Sequence, residues 1–183
     1  RPIVYESKTD LGCFAEIIER GALKNTDLKD VRFLVNHDTN KIPLARSRRN
    51  NENSTMQLTV DNDGMAIRVD LDVENNTDAR ALYSAVQRGD ITGMSFMFGV
   101  DADEWENLES DYPTRHIKSI STVVEVSAVT FPAYEATEIN ARDKSALDNA
   151  RRTLESERQN CAKAVDTVLE LEKLKAEILF KAR

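Results

Sequence analysis

Only two histidines occur in the 183 residues, so each can be weighed for chemistry. His37 sits in the run Leu34-Val35-Asn36-His37-Asp38, at the end of an apolar strand, while His116 follows Thr114-Arg115 beside a charged loop. A lone histidine is more often structural or solvated than catalytic. Ser95 lies in Gly93-Met94-Ser95-Phe96-Met97-Phe98-Gly99. Strand alternation sets it opposite Met94, Phe96 and Phe98, which leaves its hydroxyl on an outer face. The plain reading is a small outward residue; the chemical one is a hydroxyl that substrate can reach. Glu125 is a single carboxylate within Val123-Val124-Glu125-Val126-Ser127-Ala128-Val129. Parity groups it with Ser127, away from Val124, Val126 and Ala128. It is either an exposed residue paired with a basic neighbour or a carboxylate that orients a histidine.

Together these residues could form a nucleophilic site. A serine hydroxyl is a weak nucleophile at neutral pH and needs an adjacent base. Imidazole can take that proton and return it to a leaving amine. A carboxylate can hold the imidazole tautomer and stabilise its charged form, and such triads occur in several chain orders. The order here is His–Ser–Glu. The G-x-S-x-G elbow of strand–turn–helix hydrolases is absent. Asp38-Thr39 lacks the glycine of an aspartic-protease motif, because Asn40 follows and no second copy exists. His37, Asp38 and Glu125 match no metal-ligand spacing, and no cofactor is expected.

The elements that would carry these residues are mostly strands. Val31–Val35 reads as a strand, as do Met56–Val60 and Met65–Val73 around Asp61-Asn62-Asp63-Gly64, an Asp-Gly hairpin signal. Thr92–Val100 reads as another strand, and Ile117–Phe131 as one or two more. Phe14–Arg20 reads as a short helix ended by Gly21. Asn76–Arg88 reads as a helix capped by Asn76 or Thr77 and closed by Gly89. Asn50–Ser54 reads as a polar, mobile loop. Six or seven short strands with few helices predict an α+β, mostly β fold, built as a small antiparallel barrel flanked by helices.

Composition limits the function. Hydrophobic residues make up 40% of the chain and charged ones 31%, with a net charge of −7. The acidic balance argues against a nucleic-acid surface, and no apolar run reaches the ~20 residues that span a membrane. Arg1–Asp10 lacks the apolar core of a signal peptide. Cys13 and Cys161 alone make no disulfide framework, which suits a reducing compartment. All six glycines lie at or before Gly99 and all four prolines at or before Pro132. Lys144–Arg183 carries 9 basic and 7 acidic residues, against 16 and 25 in the rest. Its apolar residues recur at helical spacing from Leu147 to Ile178. Two domains are therefore expected: 1–143 as the barrel, and 144–183 as one long amphipathic helix, either docked on the chain's own core or offered to a partner helix.

Four short blocks resemble the prohead, or capsid-maturation, proteases of tailed bacteriophages of the HK97-like group. They are Phe14-x-Glu16-x-Ile18-x-x-Gly21-Ala22-Leu23, Asn36-His37-Asp38, Gly93-Met94-Ser95-Phe96, and Glu125-Val126-Ser127 with Val129-Thr130-Phe131-Pro132-Ala133-Tyr134. Met97 departs from the small residue the family often has there. The resemblance implies a serine endopeptidase with a fold akin to the herpesvirus assembly protease, with His37 as base and Ser95 as nucleophile. Glu125 is the preferred third member. The herpesvirus enzymes use a second histidine there, but His116 lies upstream of the Glu-Val-Ser strand. The implied substrates are the phage major capsid protein, scaffold segments and the chain itself, with cleavage near Ala141–Ser145. The implied location is the prohead within the host bacterial cytoplasm. The tail would then be a scaffold-like or targeting arm, and dimerisation follows by analogy alone. The competing expectations are a catalytically inactive capsid-assembly protein and a ligand-binding module.

Overall fold

A computed structural model describes residues 1–131 and 151–160. Strands β1 (Ile3–Val4), β2 (Lys8–Asp10), β3 (Ala15–Ile18), β4 (Arg32–Val35), β5 (Ala45–Arg46), β6 (Met56–Asp61) and β7 (Gly64–Val69) precede helix α1 (Thr77–Arg88). Two long strands follow, β8 (Gly93–Glu106) and β9 (Thr114–Val129). A helical stretch, α2, covers 151–160. The chain divides into units Arg1–Asn140 and Ala141–Arg183; among the described residues, the strands β1 to β9 and α1 lie in the first.

β9 organises the first unit. Antiparallel β8 runs along one of its edges from Gly93↔Val129 to Glu106↔Thr114. The other edge takes two short strands in succession, both parallel to it: β3 at Thr114–Ile117 and β4 at Glu125–Ala128. β2 extends β3, β5 extends β4, and β1-β7-β6 form a separate three-stranded sheet. The expected antiparallel barrel is therefore corrected. The fold is mostly β, but its two sheets do not close on each other, and the larger one is mixed. The reason lies in the length of β9, which is 16 residues. That is enough for two parallel partners end to end on one edge, and among the described strands no pairing joins this sheet to β1-β7-β6.

The ladder between β8 and β9 is bulged. Its register leaves Lys118, Ser121 and Val124 of β9, and Asp101 of β8, without an opposite residue. Each extra residue reverses the alternation of side chains and bends the strand. Ile117, Ile120, Val123 and Val126 consequently all enter the core, at intervals of three. Met94, Phe96 and Phe98 of β8 pack against the same cluster, together with residues of the smaller sheet such as Met56, Leu58 and Met65.

Local signals hold where they are self-contained. Asn76 caps α1 by accepting from the N–H groups of Asp78 at 3.0 Å and Ala79 at 3.2 Å, and Gly89 ends it at φ 77°. The β6–β7 hairpin turns through Asn62-Asp63 as expected. Phe14–Arg20 is not a helix. Its centre is β3, because pairing with β9 buries Ala15 and Ile18. Asn50–Ser54 is tied down: the Leu58 N–H donates to Asn50 Oδ1 at 2.8 Å, Asn50 Nδ2 donates to the Leu58 carbonyl at 2.9 Å, and Ser54 is buried. Of the expected helix over 144–183, α2 falls within it, and the rest lies outside the described residues.

Gly64 joins the smaller sheet to its first strand. Its φ is 139°, and a Cβ there would sit 2.1 Å from the Ile3 carbonyl oxygen, inside the β1–β7 pairing. Gly64→Ala should lower unfolding free energy by at least ~2 kcal/mol, from backbone strain and the clash together. Urea denaturation checks this; a loss under ~0.5 kcal/mol would contradict the close approach.

Candidate active site

The site begins where β4 ends. Its parallel register with β9 sets Arg32 opposite Glu125, Leu34 opposite Ser127 and Val35 opposite Ala128. The next two residues turn sharply: Asn36 has φ 50° and His37 φ 56°. Left-handed backbone is uncommon outside glycine and is most tolerated by Asn. Four hydrogen bonds hold the turn. The Asn36 N–H donates to the Ala128 carbonyl at 2.9 Å. The Thr130 N–H donates to Asn36 Oδ1 at 2.9 Å, with Asn36 Nδ2 3.3 Å from Thr130 Oγ1. The His37 N–H donates to Ser127 Oγ at 3.1 Å.

This turn brings His37 onto Glu125. His37 Nδ1 lies 2.6 Å from Glu125 Oε1. Glu125 is 1% exposed, so the reading of an exposed residue paired with a basic neighbour is overturned. A buried carboxylate needs partners for both oxygens, and Oε2 accepts from Ser127 Oγ at 2.6 Å. With the carboxylate against Nδ1, neutral imidazole carries its proton there and its basic lone pair on Nε2.

Ser95 sits on the adjacent strand. It is half-buried, and its register partner is Ser127. Directly opposed residues of an antiparallel pair share a face, with Cβ atoms ~4.5–5.5 Å apart. Ser95 thus shares the face of Ser127, and the bonds of Ser127 lead to Glu125 and His37. Of the two serines, only Ser95 can meet an outside molecule, because Ser127 is 0% exposed. Met97, the departure from the family pattern, stands opposite Glu125 next to the first bulge.

His116 belongs elsewhere. Its Nδ1 is 3.1 Å from Glu19 and its Nε2 3.3 Å from Glu106. It lies in a charge ladder where Lys118 bonds Glu19 at 2.6 Å and Arg115 bonds Asp103 at 2.5 Å. The Lys118 hydrogen bond draws the Glu19 carboxyl below its ordinary range. His116 is nine residues from Glu125 along β9, roughly 25–30 Å of strand.

The contributions of Ser127 and Thr130 are invisible in residue type alone. Ser127 could have been found by parity, since it stands two residues from Glu125; Thr130 gives no such signal. An apolar groove lined by Val35, Leu44, Leu82 and Ile91, with Asp38 and Lys41 on its rim, flanks the His37 turn. Among the described residues, no group of His, Cys, Asp and Glu is arranged to hold a metal ion, and no helix is long and apolar enough to cross a membrane.

A histidine matched to a buried carboxylate, beside a serine-bearing strand, is an arrangement suited to serine-type hydrolysis. The chain matches the model of the caudovirus prohead serine proteases over residues 2–152 and belongs to that family. It is 32% identical over 130 residues to the prohead protease of Enterobacteria phage HK97, covering 69% of this chain and 52% of that protein. The chain thus spans about half the length of that relative. No solved structure matches it, so the herpesvirus kinship carries no further argument.

The turn makes its own prediction. Asn36→Ala should destabilise by ~1–2 kcal/mol, because alanine resists the left-handed region and the Thr130 bonds are lost. Asn36→Gly should cost less. Thermal and urea unfolding of both variants checks the order; equal losses would contradict the backbone explanation.

Proposed function

We propose that the chain is a serine endopeptidase of phage prohead maturation, with Ser95 as nucleophile, His37 as general base and acid, and Glu125 as the residue orienting His37. The carrying observation is the 2.6 Å contact between His37 Nδ1 and buried Glu125, in a family of prohead serine proteases. In this reading the Ser95 oxygen attacks the scissile carbonyl carbon while His37 Nε2 takes the hydroxyl proton. The tetrahedral intermediate collapses, the C–N bond breaks, and the amine leaves with that proton. Water then attacks the acyl-enzyme, giving one proton to His37 and its oxygen to the carbonyl carbon. His37 returns the proton to Ser95 as the ester bond breaks. Glu125 stays ionised throughout and stabilises the imidazolium. The match to the prohead serine proteases favours the enzyme over an inactive assembly protein that keeps the same fold.

The substrates in this proposal are the phage major capsid protein and scaffold segments, met inside the prohead in the host cytoplasm. The groove beside the His37 turn suits an extended, apolar stretch of such a chain. Residues 1–143 act as the peptidase and 144–183 as a targeting arm, removed by self-cleavage near Ala141–Ser145. Intact mass measured over time tests the last point; a junction cut that persists in Ser95→Ala contradicts it.

The activity is tested on the full chain with a biotinylated fluorophosphonate. Wild type should be labelled at Ser95, Ser95→Ala not at all, and His37→Ala should react ~10²–10⁴-fold more slowly, the span of general-base catalysis. Unchanged labelling of both variants would refute the peptidase reading.

A further inference from the structure

Ser127 satisfies two demands with one hydroxyl. A serine offers one O–H to donate and lone pairs to accept. Here the donor goes to Glu125 Oε2 at 2.6 Å and the acceptor receives the His37 N–H at 3.1 Å. The first distance falls in the range of charge-assisted O–H···O⁻ bonds. The second fixes the backbone of a non-glycine residue held at φ 56°. Ser127 itself is locked: it is 0% exposed, with Leu34 opposite on one side and Ser95 on the other. It is therefore joined to both the carboxylate and the turn that carries the imidazole.

We propose that Ser127 is a positioning residue of this site, whose hydroxyl sets the rotation of the Glu125 carboxylate and the placement of the His37 turn so that Oε1 faces Nδ1. This rests on the reading of Ser95, His37 and Glu125 as a peptidase triad. Ser127 does not touch substrate; it acts through Glu125 and His37. Without its hydroxyl, Oε2 loses its donor and the His37 N–H its acceptor. The carboxylate is then free to rotate toward other donors, and the imidazole loses its fixed orientation. Misplacement of this kind slows the chemical step more than it weakens binding of the reactant.

The test uses the full chain, fluorophosphonate labelling and two variants. Ser127→Ala removes the hydroxyl, and Ser127→Cys keeps a side chain of the same shape, somewhat larger, with only a weak donor. Labelling at saturating probe should slow about 10- to 100-fold in both, with the half-saturating probe concentration within about twofold of wild type. The Nδ1 proton of His37 should give a downfield NMR resonance in wild type that both variants lose. Should Ser127→Ala fail to fold, Ser127→Cys decides. A folded variant that labels at the wild-type rate overturns the proposal, as does one that changes only the half-saturating concentration. These outcomes are distinct from failure of the peptidase reading, in which His37→Ala and Ser95→Ala would also label normally.

Discussion

A charged carboxylate cannot be buried without partners for its oxygens, because an uncompensated ion in the interior costs far more than the rest of the fold can offset. Glu125 is such a group, 1% exposed within a strand of valines. One of its oxygens meets His37 Nδ1 and the other meets Ser127 Oγ. Ser127 stands on β9 itself, but to supply His37 the chain must lay β4 parallel to β9 in one register and then turn at once through two left-handed residues. A one-residue slip of β4 would carry His37 off Glu125 and reverse every side chain it presents to the core. The site and the central pairing of the sheet therefore depend on the same contact.

The long strand β9 also explains how one face can carry polar chemistry while the other remains apolar. In a regular strand, Val123 and Glu125 would share a face. The bulge at Val124 separates them, sending Val123 to the core and leaving Val124 42% exposed. Beyond that bulge alternation is regular: Val126 and Ala128 enter the core, while Glu125 and Ser127 stand on the opposite face with Ser95 across the ladder. Bulges are common beside functional sites for this reason, since they re-aim a side chain without breaking the strand. Gly99 belongs to the same geometry, for a Cβ there would come within 2.8 Å of Ser121 Oγ at a neighbouring bulge.

What could be read from the sequence follows from the range of the interactions involved. The α1 helix is legible to within a residue, with only the choice between Asn76 and Thr77 as cap left to the structure, because Asn76 and Gly89 act on their immediate neighbours. The β6–β7 hairpin was legible because Asp63-Gly64 is a local turn signal. Phe14–Arg20 does not read as a strand because its neighbour β2 is only three residues long, and its other partner, β9, is about a hundred positions away. The barrel was misread for the same reason: nothing in the short apolar runs reveals that one strand would accept two parallel partners. At the site, the identities of His37, Ser95 and Glu125 stood out by type and by resemblance. The burial of Glu125 did not, since strand parity alone leaves its face open to solvent. Parity alone sets Ser127 beside Glu125, but its bond to the His37 N–H and the roles of Asn36 and Thr130 emerge only when β4 and β9 are side by side.

The proposed peptidase requires Ser95, His37 and Glu125 to act as one unit. The most direct test is a crystal structure of the full chain after reaction with a phosphonate. Phosphorus should be bonded to Ser95 Oγ, with His37 Nε2 within ~3 Å of an oxygen of the adduct and Nδ1 still on Glu125. An adduct on another residue, or His37 turned away from a modified Ser95, would contradict that requirement.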